Sequence, residues 1–76
     1  MISITIRYFA HLREVRGKSE EPMIFEQPLS VGMLFSQIFS MPHTGIRFAI
    51  DAEYVAADTL ISDGDEIAFL PPMGGG

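Results

Sequence analysis

Cysteine is missing from all 76 residues, which rules out disulfides, a thiolate nucleophile and thiolate metal sites. Histidine is nearly missing. His11 and His43 lie too far apart in sequence to bring a second ligand onto the same local face, so each reads as a solvated surface residue and no metal is expected. Positive charge is scarce as well. Five basic residues stand against ten acidic ones, a net charge of −5, and without a basic stripe to displace counterions from phosphates, nucleic acid is not an expected partner. No apolar run approaches membrane-spanning length, and Met1 to Ala10 alternates around Arg7 instead of forming the unbroken apolar stretch of a secretion signal. The expectation is a soluble, cytoplasmic protein that does not associate with membranes. No linker and no repeat divide it, and no nucleophile and base stand in the spacing of a free-standing enzyme.

What is present points to one small globular domain. Nearly half the residues are hydrophobic (47%) and six are Phe, a composition that builds a core and does not suit a disordered chain. At this length only about 60% of the unfolded surface is buried, so stability is modest. Charge is unevenly spread: Arg7, Arg13, Arg16 and Lys18 fall early, whereas Asp51, Glu53, Asp58, Asp63, Asp65 and Glu66 form a stretch with no basic residue. That stretch predicts an acidic surface able to steer a basic partner, although each carboxylate taken singly reads as ordinary solvated surface.

The periodicities predict the element order. Ile2, Ile4, Ile6 and Tyr8 alternate with polar residues, the signature of a strand with one buried face. Phe9 to Arg16 switches to helix formers and stops at Gly17, predicting a helix of about two turns. Pro22 to Gln27 reads as a second strand ended by Pro28. Ser30 is placed to cap a longer helix whose Val31, Leu34, Phe35 and Ile38 fall at i, i+3, i+4 and i+7, bounded by Pro42. Arg47 to Ile50 and Glu53 to Val55 predict two short strands around a turn at Asp51-Ala52, and Glu66 to Leu70, after an Asp63-Gly64 turn, predicts the last. The result is an α+β fold, a mixed sheet of four to five strands on one main helix with a second short helix, and its size and order match the ubiquitin-like β-grasp.

Two features bear on function. Strand parity carries Phe9 onto the polar face with Ser3, Thr5 and Arg7, and sets Leu70 opposite to Ile67 and Phe69. Phe9, Leu70 and Tyr54 then either form an exposed apolar patch, the mark of a partner surface, or are drawn into the core by bending of short strands. The second feature is the sequence after residue 70. Residues 1–70 read as the folded domain and 71–76 as a flexible tail. Pro71 and Pro72 favour an extended course, and Gly74, Gly75 and Gly76 have no Cβ to block a narrow channel. Six such residues reach at most about 20 Å, far enough to enter a neighbouring protein's buried site.

Tyr8-Phe9-Ala10-His11-Leu12-Arg13-Glu14 with Gly17, and the run from Ser62 through Phe69-Leu70-Pro71-Pro72-Met73 to Gly76, together resemble the small, sulfur-carrying subunit of molybdopterin synthase. That resemblance implies a β-grasp protein with no bound cofactor, whose Gly76 carboxylate is adenylated by a ubiquitin-activating-like adenylyltransferase at the expense of ATP. A sulfur donor protein then converts it to a thiocarboxylate. Pro71, Pro72, Met73, Gly74 and Gly75 insert into the large subunit of the synthase, where the sulfur reaches a pyranopterin precursor of the molybdenum cofactor. Because a carboxylate is a poor acyl donor, the adenylate supplies the leaving group that a sulfur nucleophile displaces. No side-chain thiol is needed for this. The connection from Ser40 to Gly45 is short for the family, and Asp51 stands where the family usually has asparagine; either residue suits a turn. Two other readings remain open: a carrier for thiazole or another thio-cofactor, and a ubiquitin-like modifier or binding module. The single lysine, Lys18, offers little for lysine-linked chains on this protein but leaves conjugation to targets possible.

Overall fold

The computed structural model describes residues 1–72. Its elements run β1 (Ile2–Tyr8), α1 (Ala10–Arg16), β2 (Glu20–Phe25), α2 (Val31–Phe39), β3 (Arg47–Ile50), β4 (Glu53–Val55) and β5 (Glu66–Leu70). The strands form one mixed five-stranded sheet in the order β2-β1-β5-β3-β4. β1 and β5 pair in parallel at its centre, and the other pairings are antiparallel. The α+β architecture expected from the element order is therefore present.

The alternation in β1 places Ile4, Ile6 and Tyr8 in the core, with Ile67 and Phe69 of β5 and Phe48 of β3. α2 covers this face with Val31, Leu34 and Phe35, and Ile38 packs half-buried at its edge. Phe35 meets Phe69 edge-on with ring centroids 5.3 Å apart and lies 4.7 Å from Phe39, so aromatic contacts add to the area buried. Ser30 caps α2 as its position suggests, its Oγ accepting from the Met33 N–H at 3.2 Å. The helix stops at Ser40, which takes a left-handed φ of 55° two residues before Pro42.

Two boundaries differ from expectation. Phe9 is not in the helix: it stays extended (φ −126°, ψ 151°) as the cap of α1 while its carbonyl accepts from Leu12 and Arg13. The chain turns instead at Ala10, whose φ is 51°. β2 begins at Glu20, not Pro22, and ends at Phe25. Proline is tolerated inside it because β2 is an edge strand, so the lacking N–H leaves no gap in an interior ladder.

The acidic stretch is largely structural. Asp51 Oδ1 accepts from the Glu66 N–H at 3.0 Å while the Asp51 N–H donates to the Glu66 carbonyl at 2.9 Å, a reciprocal clasp between the β3–β4 turn and the start of β5. Asp63 Oδ1 accepts from the Ser3 N–H at 2.8 Å, and Gly64, at φ 88°, donates its N–H to the Ser3 carbonyl at 2.7 Å. Asp65 accepts from Ser62 N–H at 2.7 Å, and Glu66 pairs with Arg7 at 3.1 Å in an exposed contact. Asp51, Asp63 and Asp65 thus serve backbone N–H groups, as the turn reading of Asp51 expected.

Candidate functional site

The face of the sheet turned away from α2 follows from the registers. Arg7 stands beside Ala68, Ala68 beside Ala49 and Ala49 beside Tyr54, and in the next row Leu70 stands beside Arg47. No helix covers this side, and its parity is the one assigned to β1: Tyr8 is 1% exposed and Phe9 40%. Tyr54 is 71% exposed and Leu70 half-buried. Phe9, Tyr54 and Leu70 all line one cavity of about 650 Å³, which Ala10, Gly45, Arg47, Pro71 and Pro72 complete. Bending of the strands does not draw the three into the core.

The cavity lies where the chain leaves β5. Pro71 is half-buried and Pro72 exposed on its wall. Gly45 has a left-handed φ of 84°, and a side chain there would come within 3.9 Å of Pro72 Cγ, so the loop before β3 runs close beside the first residues after the sheet. Met73, Gly74, Gly75 and Gly76, the insertion and sulfur-bearing residues expected from the sequence, lie outside the described residues.

A polar cluster ties the last residue of α1 to β1 and β2. The Tyr8 hydroxyl donates to Glu21 at 2.7 Å, and Arg16 Nη2 reaches both Glu21 oxygens at 2.8 and 3.0 Å. Lys18 adds a looser contact at 3.7 Å, and the Arg16 guanidinium also lies 5.8 Å from the Tyr8 ring centroid. Burial, reinforced by the bond to Glu21, pushes the Tyr8 hydroxyl up to about 12. The Arg16 hydrogen bonds hold the Glu21 carboxyl below its usual range. Strand β1, helix α1 and strand β2 are thereby joined through three side chains, and Phe9 projects from a braced element.

Among the described residues no group of three or more His, Asp or Glu is placed to hold a metal ion, and no helix is long and apolar enough to cross a membrane. Sequence reasoning missed Ala10, Gly45 and Arg47 as cavity residues. For Arg47 a signal existed: parity within β3 sets it opposite to Phe48, hence on the open face. Its pairing with Leu70 across the sheet could not be read from local pattern.

A parallel central strand pair, a single covering helix and a chain that leaves the sheet from its central strand define a ubiquitin-like β-grasp protein. The small archaeal modifier protein 1 of Haloferax volcanii has this fold, with a TM-score of 0.80 at 20% identity over 96% of this chain and 100% of that one. A Pyrococcus furiosus protein described as molybdopterin converting factor, subunit 1, superposes with a TM-score of 0.78 at 22% identity, covering 96% of this chain and 100% of that one. In sequence, the molybdopterin synthase sulfur carrier subunit of Chlamydomonas reinhardtii is 33% identical over 84 aligned positions, covering 99% of this chain and all of that protein. The ThiS family model matches residues 6–76. The chain belongs to the ThiS family.

Proposed function

We propose that the chain is the sulfur-carrying small subunit of a molybdopterin synthase. The observation that carries this reading is its similarity over nearly its whole length to the Chlamydomonas sulfur carrier subunit. Two further features support it: the run Pro71-Pro72-Met73-Gly74-Gly75-Gly76 lies within the stretch that the family model matches, and the chain leaves the sheet beside an apolar cavity suited to a docking partner.

In this mechanism an adenylyltransferase joins the Gly76 carboxylate to AMP from ATP with release of pyrophosphate. Sulfide-level sulfur (HS⁻) delivered by a donor protein then attacks the acyl carbon, the acyl–phosphate bond breaks, and AMP and a proton leave, giving a thiocarboxylate. The folded domain docks on the large subunit through the face bearing Phe9, Tyr54 and Leu70, while residues 71–76 carry the sulfur into that subunit's active site. Docking makes the entry of the tail effectively intramolecular, so neither contact has to be strong alone. The chain contributes a reactive end and no acid, base or oxyanion hole. It acts in the cytoplasm, binds no cofactor itself, and depends on ATP only through the activating enzyme.

Co-expression with the activating enzyme and a sulfur donor, followed by intact-mass measurement, tests this directly. A gain equal to one sulfur-for-oxygen exchange at the terminus, absent when Gly76 is deleted, is expected. Full delivery of sulfur without Gly76 would end the reading. Formation of the thiocarboxylate with delivery only to a thiazole-forming enzyme would favour the other carrier pathway, and an isopeptide bond to a target lysine would favour a modifier.

A further inference from the structure

Among the described residues that line the cavity where the chain leaves β5, Arg47 is the single charged one. Its guanidinium lies over the Tyr54 ring, 5.9 Å from the centroid. Stacked this way, an arginine keeps its stem on apolar surface and its fork of N–H donors turned outward in a partly ordered geometry. Among the described residues the ion pairs are Arg7–Glu66, Arg16–Glu21 and Lys18–Glu21, and none uses Arg47. No carboxylate of the described residues pairs with it, and Asp51 and Asp63 hold turn backbones at the opposite end of the strands. In a chain with twice as many acidic as basic residues, an exposed guanidinium left without a carboxylate at the mouth of an apolar cavity calls for an occupant that brings one.

We propose that Arg47 receives a carboxylate from the protein that docks in this cavity, so that recognition joins an apolar anchor between Phe9, Tyr54 and Leu70 to one charge-assisted, bidentate pair. The inference deepens the sulfur-carrier reading and rests on it: the occupant is the large synthase subunit, and the contact selects for an acidic side chain beside the apolar one. A phosphate is the other anion that fits such a fork, but the phosphate in the proposed chemistry forms on Gly76. Gly76 lies four positions beyond Pro72, a reach of about 13 Å at full extension, so the proposed chemistry does not require this cavity to hold that phosphate. Tyrosine and arginine dominate the energetics of many interfaces because a rigid ring and a planar fork lose little freedom on binding, and here each already orders the other.

The test is binding of the large subunit to the wild-type chain and to Arg47→Met, Arg47→Lys and Arg47→Glu, at low and high salt, with the unfolding midpoint of each recorded. Methionine keeps the apolar stem and removes the charge, and about a tenfold loss of affinity is expected, equivalent to about 1.4 kcal/mol. Glutamate should lose more and lysine less, since an ammonium keeps the charge without the fork. The methionine deficit should shrink as salt screens the wild-type pair, while unfolding midpoints stay in place because the side chain is exposed. Wild-type affinity in Arg47→Met or Arg47→Glu, or a methionine deficit independent of salt, would overturn the carboxylate contact. If thiocarboxylate still formed and sulfur were still delivered, the carrier reading would stand without it. A wild-type chain that forms no thiocarboxylate and ignores the large subunit would remove both. A concentration-dependent dimer abolished by Arg47→Glu would assign the face to a second copy and overturn the proposal.

Discussion

The two ends of the sheet spend their polar and apolar groups in opposite ways. At the turn end, where β5 begins and β3 ends, Asp51, Asp63 and Asp65 each bind a backbone N–H group of the fold itself. At the end where β5 finishes, Phe9 and Arg47 stand exposed, Leu70 is half-buried, and Arg47 makes no ion pair among the described residues. The acidic run in the sequence predicts a surface able to steer a basic partner, although each carboxylate taken singly reads as ordinary solvated surface. The structure teaches that a charge run and a free charge are different things: Asp51, Asp63 and Asp65 stabilise turns, and Arg47 is the charge left without a carboxylate beside the apolar cavity.

The sharpest way to break this comparison is to exchange the expected consequences of the two ends. Asp63→Ala removes the acceptor of the Ser3 N–H and should cost about 1–3 kcal/mol in chemical denaturation, while affinity for the large subunit stays unchanged. Equal stability in this variant would mean that water replaces the carboxylate and that the turn end is not clasped. Phe9→Glu should behave in the converse manner. Association is expected to weaken by more than about 1 kcal/mol with the unfolding free energy nearly unaltered, and titration of the variant by calorimetry, alongside its denaturation curve, separates the two effects. Full affinity there would reduce the cavity to a surface feature.

The Tyr8–Glu21–Arg16 cluster sharpens the comparison through pH. Glu21 has a folded pKa below its unfolded value of 4.5, so its contribution is complete above that value and is lost as pH falls through the lowered one. Tyr8, raised from 10.0 to about 12, contributes fully below pH 10.0 and loses that contribution as pH rises toward about 12. The thermal midpoint should therefore decline at both extremes. Glu21→Gln should flatten the acid limb and Tyr8→Phe the alkaline limb, and an unchanged alkaline limb in Tyr8→Phe would show that another group controls it. The smallest effect is expected at Ala52, which with Asp51 forms a two-residue turn in which both φ values are positive, 51° and 71°. Glycine adopts that conformation without the Cβ penalty, so Ala52→Gly should stabilise the chain by about 0.5–1 kcal/mol. Destabilisation would mean that the loss of backbone freedom from the unfolded chain outweighs relief of the turn.

Features with a local cause were legible in the sequence. The period of two from Ile2 to Tyr8, the i, i+3, i+4, i+7 spacing from Val31 to Ile38 and the Ser30 cap each depend on near neighbours, and each stands in the structure. The outward course of Phe9 followed from the same parity. What escaped depends on contacts distant in sequence. Pro22 looked like a strand start because its edge position is a property of the whole sheet, and Phe9 looked helical because the reversal is made by the left-handed backbone of Ala10. The importance of Arg47 was hidden for the same reason. Its place opposite Leu70 comes from pairing across 23 residues of sequence, and its stacking on Tyr54 from the hairpin that follows.

The continuity of β5 with the residues that follow it has a mechanical consequence. β5 is hydrogen-bonded on both sides, to β1 in parallel and to β3 in antiparallel fashion. A force applied to the chain beyond Leu70 therefore acts along the strand axis and loads both ladders at once, in shear, instead of peeling bonds away one after another. Withdrawal of an inserted terminus from a tight channel would strain the domain in the direction in which its backbone bonds share the load.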